Sequence, residues 1–337
     1  MINEIINKNI NEVKILNLLN ESKNVVIITH MNPDGDAAGS ATALAYYLLS
    51  AEKSVNILVT GEYPSNLEFL NQHNLIKSFD PKNNNEIINS ADLICIVDLN
   101  DPDRFKEMKE LVLASKAMKV VIDHHIKPKE FADFYCIDSN ATSTGELIWR
   151  ILKNDSSFEL NKNIATALYT AIMTDTGSFR FPKTNSTTHR IIADLIDAGA
   201  DPVSIYDSVY NQFPVSSARL KGIGYANLEL YHEKRVCLMT ISQKDFQITG
   251  AKEEETEGFV ESLLAIQDVK VGILLIDSPK SNQIRCSFRA KADAEVRSLA
   301  EKFNGGGHAQ AAGARVSGMS LEELKKIIII ESGLLFS

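Results

Sequence analysis

Apolar and polar positions alternate in blocks along the chain. NVVIITH at 24–30 is a short, nearly all-apolar run followed at once by the turn MNPDGDAAGS, whose Pro33 and Gly35 stop regular structure, and then by the helix-like SATALAYYLLSAEK. The pattern repeats with SVNILV, with DLICIVDL before a helix from about Asp103, and with KVVID before a loop. Aliphatic runs separated by helices predict a parallel sheet covered on both faces. Ahead of them Ile5, Ile6, Ile10, Val13, Leu16, Leu18 and Leu19 predict an amphipathic helix over 3–21. Further helices are predicted over 142–153, 161–174 and 186–198, the last capped by Asn185 or Ser186. Asp201-Pro202 breaks the chain before a helical stretch near 203–211. The pattern then changes to VCLMTIS, VKVGILLIDS, NQIRCSFRAK and GARVSG, strands with helices between and after them. The fold expected is an α/β domain over 1–200, a connecting helical segment over 201–226, and a smaller α/β or α+β domain over 227–337.

Composition agrees with a globular chain: 337 residues, 44% hydrophobic, long enough for two domains. The longest apolar stretch, ALAYYLL, is far short of a membrane span, and the N-terminus lacks the pattern of a secretion signal. Cys95, Cys136, Cys237 and Cys286 are far apart and show no metal-ligand spacing, so they are expected to be reduced core residues of a cytoplasmic protein. Thirty-five basic against 44 acidic residues give a charge of −9, which argues against coating long nucleic acid and leaves room for short nucleotides held in a local pocket.

The predicted strands end on chemistry, where ligands bind in open parallel sheets. His30, Asp34 and Asp36 follow the first, Asp98 ends DLICIVD, and Asp123, His124 and His125 end VVIDHH. Taken alone, Asp36 reads as the cap of a helix starting near Ala37, Asp98 as a cap or a solvent-facing carboxylate, and Asp175 as the end of a helix closed by Gly177. Taken together, His30, Asp34, Asp36, Asp98, His124 and Asp175 form a mixed imidazole and carboxylate set suited to a pair of Mn²⁺ or similar divalent ions. Asp123 is placed to orient a ligating imidazole. Such ions lower the pKa of a shared water and clamp a phosphate, so the expected reaction is phosphate-ester hydrolysis by two-metal activated hydroxide. In the second domain the glycines before His308 let backbone amides approach an oxyanion, and Arg289 offers a bidentate phosphate contact, although a glycine run alone more often marks a turn.

HMNPDGDAAGS, IVDLND, VVIDHH and MTDTGSFRF, in this order, resemble the motifs of the DHH phosphoesterases, and FNGGGHAQAAGARV resembles the signature of the DHH-associated C-terminal domain. Within that family the two-domain length is similar to the bifunctional oligoribonuclease (nanoRNase) and pAp phosphatase group. The resemblance implies an active site in the cleft between the domains. His30 and Asp34 would hold one ion, Asp36, His124 and Asp175 the other, and Asp98 would bridge them, with Mn²⁺ expected and Mg²⁺ or Co²⁺ as substitutes. It implies that Asp123 supports the site, that His125 contacts the scissile phosphate and protonates the leaving oxygen, and that Gly306, Gly307, His308 and Arg289 bind the substrate's other end, with Arg104 and Ser178 assisting. The substrates implied are short RNA and 3′-phosphoadenosine 5′-phosphate (pAp), with cyclic di-AMP or its linear product pApA as the alternative and a non-catalytic nucleotide sensor as the alternative of another class. No membrane or long nucleic acid partner is expected, and a homodimer is compatible with the resemblance. The single Trp149 and the lack of dense basic runs fit a short substrate.

Overall fold

The structure, a computed structural model, describes residues 8–291 and 293–336. It divides into two units, the first ending at Gln212 and the second beginning at Phe213. In the first, β1 (Asn24–Ile28), β2 (Ser54–Val59), β3 (Ile76–Ser78), β4 (Leu93–Val97), β5 (Met118–Asp123) and β6 (Phe134–Ile137) form a sheet of order β3-β2-β1-β4-β5-β6. Every neighbouring pair is parallel. Its helices are α1 (Glu12–Glu21), α2 (Gly35–Ser50), α3 (Pro81–Asn89), α4 (Lys109–Ala114), α5 (Thr144–Leu152), α6 (Lys162–Asp175), α7 (Ser186–Asp197) and α8 (Pro202–Tyr210).

The strands are aliphatic throughout because both faces are buried. Val25, Ile27, Cys95 and Ile122 point into a core shared with Leu44 of α2, Leu147 of α5 and Leu168 of α6. Val26, Ile28, Ile96 and Val121 point the other way, toward Ile88 of α3, Phe105 and Val112 of α4. Strand order reverses between β1 and β4, which opens a crevice beyond their carboxyl ends. Asn185 caps α7 in a capping box with Thr188. Of the opening helix expected over 3–21, α1 starts only at Glu12, because Asn9 bridges to Tyr135 and the extended Asn11 caps α1, which leaves Ile10 outside the helix; Ile5 and Ile6 lie outside the described residues.

In the second unit, β7 (Glu229–Tyr231), β8 (Val236–Ile241), β9 (Val271–Asp277), β10 (Gln283–Ala290), β11 (Gly306–Gly307) and β12 (Ala311–Ser317) form a mixed sheet, β11-β12-β10-β9-β8-β7. Only β8 and β9 pair in parallel. Helices α12 (Arg297–Glu301) and α13 (Leu321–Gly333) pack on the face bearing Ile284, Cys286 and Phe288. Helices α9 (Val215–Ala226), α10 (Gln243–Thr249) and α11 (Phe259–Leu263) pack on the opposite face of β8 and β9. The segment 201–226 is divided between the units: Ile205 and Val209 of α8 join the first unit's core, and Leu220 of α9 joins the second's. All four cysteines are buried and free, and no helix among the described residues is long and apolar enough to cross a membrane.

Candidate active site

Three helices meet at the carboxyl end of the parallel sheet through residues too small to hold them apart. A Cβ on Gly39 of α2 would lie 2.5 Å from the Ala167 carbonyl oxygen and 2.9 Å from the Ala171 nitrogen of α6. A Cβ on Gly145 of α5 would lie 2.5 Å from the Ala171 Cβ. Ala171 is thus wedged between α2 and α5, and this close contact draws together the helix ends that carry Asp36, Thr144 and Asp175.

Asp34 is the N-cap of α2, its Oδ1 accepting from the Asp36 and Ala37 amides at 3.1 Å each. The helix begins at Gly35 rather than near Ala37, so the capping role falls to Asp34 and Asp36 turns inward. There Asp36 is 2% exposed. Its Oδ2 accepts from the Thr144 amide at 2.7 Å, and its Oδ1 accepts from the Gly145 amide at 2.9 Å and the Ser40 hydroxyl at 3.0 Å. The N-terminus of α5 therefore fixes a carboxylate from another element, as its exposed amides and dipole favour. Asp98, 2% exposed, follows β4 in a left-handed conformation with φ 58°. The Thr144 hydroxyl donates to its Oδ1 at 3.0 Å.

These anchors bring all six expected ligands into one cluster. The donor atoms of His30, Asp34 and Asp98 lie within 4.8 Å of one another, as do those of Asp36, His124 and Asp175, and those of Asp98, His124 and His125. Nε2 of His30 stands 3.8 Å from Asp34 and 3.6 Å from Asp98. Nε2 of His124 stands 3.3 Å from Asp175 and 3.8 Å from both Asp36 and Asp98. The Nδ1 atoms face backbone carbonyls, Met31 at 3.0 Å and Ala141 at 3.4 Å, and a carbonyl only accepts, so each Nδ1 carries the hydrogen. Each Nε2 then faces carboxylate oxygens: that of the neutral His124 presents a lone pair and is buried without a hydrogen-bond partner among the described residues, and that of His30 is where a proton or a metal cation is held. Lone pair against anion is repulsive unless a cation lies between them. The donor set thus fits divalent metal, with oxygen and imidazole ligands and no thiolate.

The electrostatics agree. Burial, followed by the charges of Asp98 and Asp175, pushes Asp36 well above the ordinary carboxylate range. Burial, then Asp98 and Asp34, pushes Asp175 up to about 7. Burial lowers His124, keeping it neutral as a ligand must be. Burial would lower His30 too, but hydrogen bonds and charge from Asp34 and Asp98 outweigh it and raise the imidazole to about 10. A cation at that nitrogen is strongly favoured.

Asp123, fully buried, accepts from His125 Nδ1 at 2.7 Å, which corrects the expectation that it orients a ligating imidazole, since the ligand of the expected set is His124. His124 is instead oriented by the Ala141 carbonyl. Burial lowers the His125 pKa, and the Asp123 contact outweighs it, so the net shift is upward. Arg104 has an exposed side chain, while its carbonyl accepts from the Met31 amide at 3.2 Å. Ser178, at φ 58°, follows the end of α6 beside Gly177. Thr144, Gly145, Ser40 and Gly39 escaped the sequence reading. Their signals were Ser143-x-x-Glu146, a helix-start pattern borne out by the Ser143 cap, and small residues four apart at 35 and 39.

In the second unit, Gly306 and Gly307 are strand rather than loose turn, pairing with Gly313 and Ala312 of β12. A Cβ on Gly307 would lie 2.4 Å from the Ala311 carbonyl oxygen, whereas one on Gly306 meets nothing within 4 Å, so Gly306 leaves the open surface. The His308 amide donates to the Ala311 carbonyl at 2.8 Å, and the residue is exposed. Arg289 pairs with Ala311 in register and donates from Nε to Glu261 at 2.7 Å.

A parallel α/β sheet with this ligand cluster at its switch point defines a metal-dependent phosphoesterase. Residues 24–172 match the N-terminal domain of the DHH family, and residues 241–330 match the DHHA1 domain. A solved exopolyphosphatase-related protein from Bacteroides fragilis is 30% identical, with 97% of this chain and 98% of that chain covered at a TM-score of 0.91. The bifunctional oligoribonuclease and PAP phosphatase NrnA of Bacillus subtilis is 26% identical over 90% of this chain and 92% of its own. The cyclic-di-AMP phosphodiesterase PdeA of Listeria monocytogenes is 25% identical over 93% of this chain and 48% of its own. The chain belongs to the DHH family.

Proposed function

We propose that this protein is a manganese-dependent phosphoesterase that removes 5′-mononucleotides from RNA of a few residues and dephosphorylates pAp. The observation that carries the reading is the likeness to NrnA, which extends over 90% of this chain and 92% of the relative. The complete ligand cluster supports turnover over a sensor. His30, Asp34 and Asp98 would hold one ion, and Asp36, His124 and Asp175, sharing Asp98, the other. When bound, such ions supply positive charge to phosphate oxygens and a water acidic enough to attack near neutral pH. Asp123 fixes the His125 ring, and His125 Nε2 delivers a proton to the leaving oxygen. Gly306, Gly307, His308 and Arg289 receive the end of the substrate remote from the scissile bond, Arg289 exchanging Glu261 for a phosphate. Arg104 and Ser178 contact the phosphate beside the metals.

Cyclic di-AMP or its linear product pApA is the second reading, supported by the likeness to PdeA. The four buried free thiols support an address in a reducing compartment, the cytoplasm. The test is turnover with Mn²⁺ of an RNA pentamer, pApA, cyclic di-AMP and pAp at equal concentrations. Rapid loss of the pentamer and pAp is expected; preferential opening of the ring moves the protein to the second reading, and no turnover of any of the four refutes both.

A further inference from the structure

Strand β10 carries Arg285, Ser287 and Arg289 on the face opposite Ile284, Cys286 and Phe288. Across the ladder Arg285 lies directly opposite Arg315 of β12, Ser287 opposite Gly313, and Arg289 opposite Ala311. Gly313 in turn pairs with Gly306. The result is a shelf within the second unit whose floor is Ser287, Gly313, Ala311 and Gly306, without a bulky side chain, with Arg289 at one end and two arginines at the other.

Like charges directly opposite on a sheet are destabilising. Glu253 stands near both, its Oε1 3.7 Å from Arg285 and 3.8 Å from Arg315, beyond hydrogen-bond distance. Glu253 is itself 7% exposed and accepts from the Ser278 hydroxyl. Arg285 donates from one terminal nitrogen to Thr256, but its Nε is buried without a partner among the described residues. The Arg315 side chain is 54% exposed. Two guanidiniums thus face the Glu253 carboxylate from beyond hydrogen-bond distance, with the charges of Glu257 and Glu261 also acting on Arg285, and their planar forks have the geometry that binds phosphate bidentately. Four residues of strand, roughly 14 Å, separate this pair from Arg289, too far for one phosphate to touch both.

We propose that Arg285 and Arg315 form a second phosphate-recognition pair, engaging an internal phosphate of an oligonucleotide whose end lies at Arg289 and His308. The assignment rests on the oligonucleotide reading above and makes the pair a determinant of substrate length. A mononucleotide such as pAp does not reach it.

The test is equilibrium binding of a fluorescent RNA pentamer and of pAp in EDTA, which prevents cleavage, to the native chain and to Arg315→Ala and Arg315→Lys. Arg315→Ala is expected to weaken pentamer binding about tenfold, the loss of a charge-assisted contact, and to change pAp binding less than about twofold. The slope of log affinity against log salt for the pentamer should fall by roughly 0.7, with Arg315→Lys keeping most of the slope but not the full affinity. Unchanged pentamer binding, or equal weakening for both ligands, overturns the proposal. Turnover by the native chain is measured in parallel with Mn²⁺, so failure of the catalytic reading shows there while the binding series still decides the arginine pair.

Discussion

Replacing Gly39 with alanine tests whether the wedge at Ala171 shapes the metal cluster. The added methyl would stand 2.5 Å from a carbonyl oxygen and 2.9 Å from an amide nitrogen, both backbone atoms of α6 that no side-chain rotation can move. Restoring ordinary contact requires α2 and α6 to separate by about an ångström, comparable to the separation of van der Waals contact from overlap. Overpacking of this kind costs about 1–3 kcal/mol, offset by about 1 kcal/mol from exchanging glycine for alanine within a helix. A net loss of up to about 2 kcal/mol lowers the melting temperature by up to roughly 8 °C in a unit of this size. Activity should suffer more, because Asp36 rides on α2 and Asp175 on α6, and a misplacement of about 1 Å costs on the order of a hundredfold in rate. Gly222→Ala is the control, an exposed helical position where a Cβ meets nothing within 4 Å. It should be neutral in rate and stabilising by about 0.4–1 kcal/mol. Thermal unfolding and kcat at saturating Mn²⁺ give both quantities, and a Gly39→Ala protein with kcat within twofold of native refutes the wedge.

Thr144→Val removes the hydroxyl that donates to Asp98 while leaving the Thr144 amide on Asp36; metal affinity should fall about 10–100-fold, read by Mn²⁺ titration, and unchanged affinity would exclude the contact from ligand orientation. Asp123→Asn removes the charge that raises His125, so the limb of the kcat profile assigned to a protonated His125 should move to lower pH, and a profile superimposable on the native one would remove His125 as the proton donor. In metal-free protein, Asp175 is raised from 3.8 to about 7 and His30 from 6.5 to about 10, so the folded state binds protons that the unfolded state has released. Stability from these groups is present at low pH and lost as pH rises across about 4–10; EDTA-treated protein should melt lower at pH 8 than at pH 5, and a higher melting point at pH 8 contradicts the crowding. Mn²⁺ should release protons and raise the melting temperature most at the alkaline end, a calorimetric measurement.

The ligands were legible in the sequence because each closes a strand or helix whose own pattern is local: NVVIITH, DLICIVD and VVIDHH end in them, and a parallel sheet gathers its strand ends. The supports were not, because they depend on contacts between distant segments. Nothing near Gly39 in the chain says that it lies against Ala167, and nothing near Asp36 says that the amides holding it come from Thr144 and Gly145, more than a hundred positions away. Asp123 was given to the ligating imidazole rather than to His125 for the same reason, since adjacent imidazoles are separated only by the surroundings they face. In the second unit the glycine run read as a turn or an anion loop; pairing with β12 makes Gly306 and Gly307 strand, a long-range event that propensity opposes.

The backbone at Asp98 narrows the routes by which a descendant of this chain could fall silent. At φ 58° a strand end accepts aspartate, asparagine or glycine at little cost and penalises branched residues. Asparagine alone among the substitutes keeps an oxygen for the Thr144 hydroxyl while withdrawing the charge shared by both halves of the cluster. A lineage retaining the fold and nucleotide binding after giving up hydrolysis is therefore expected to pass through asparagine at position 98. A bulkier replacement would disturb the β4 end together with the chemistry, and selection for a binding protein would remove it.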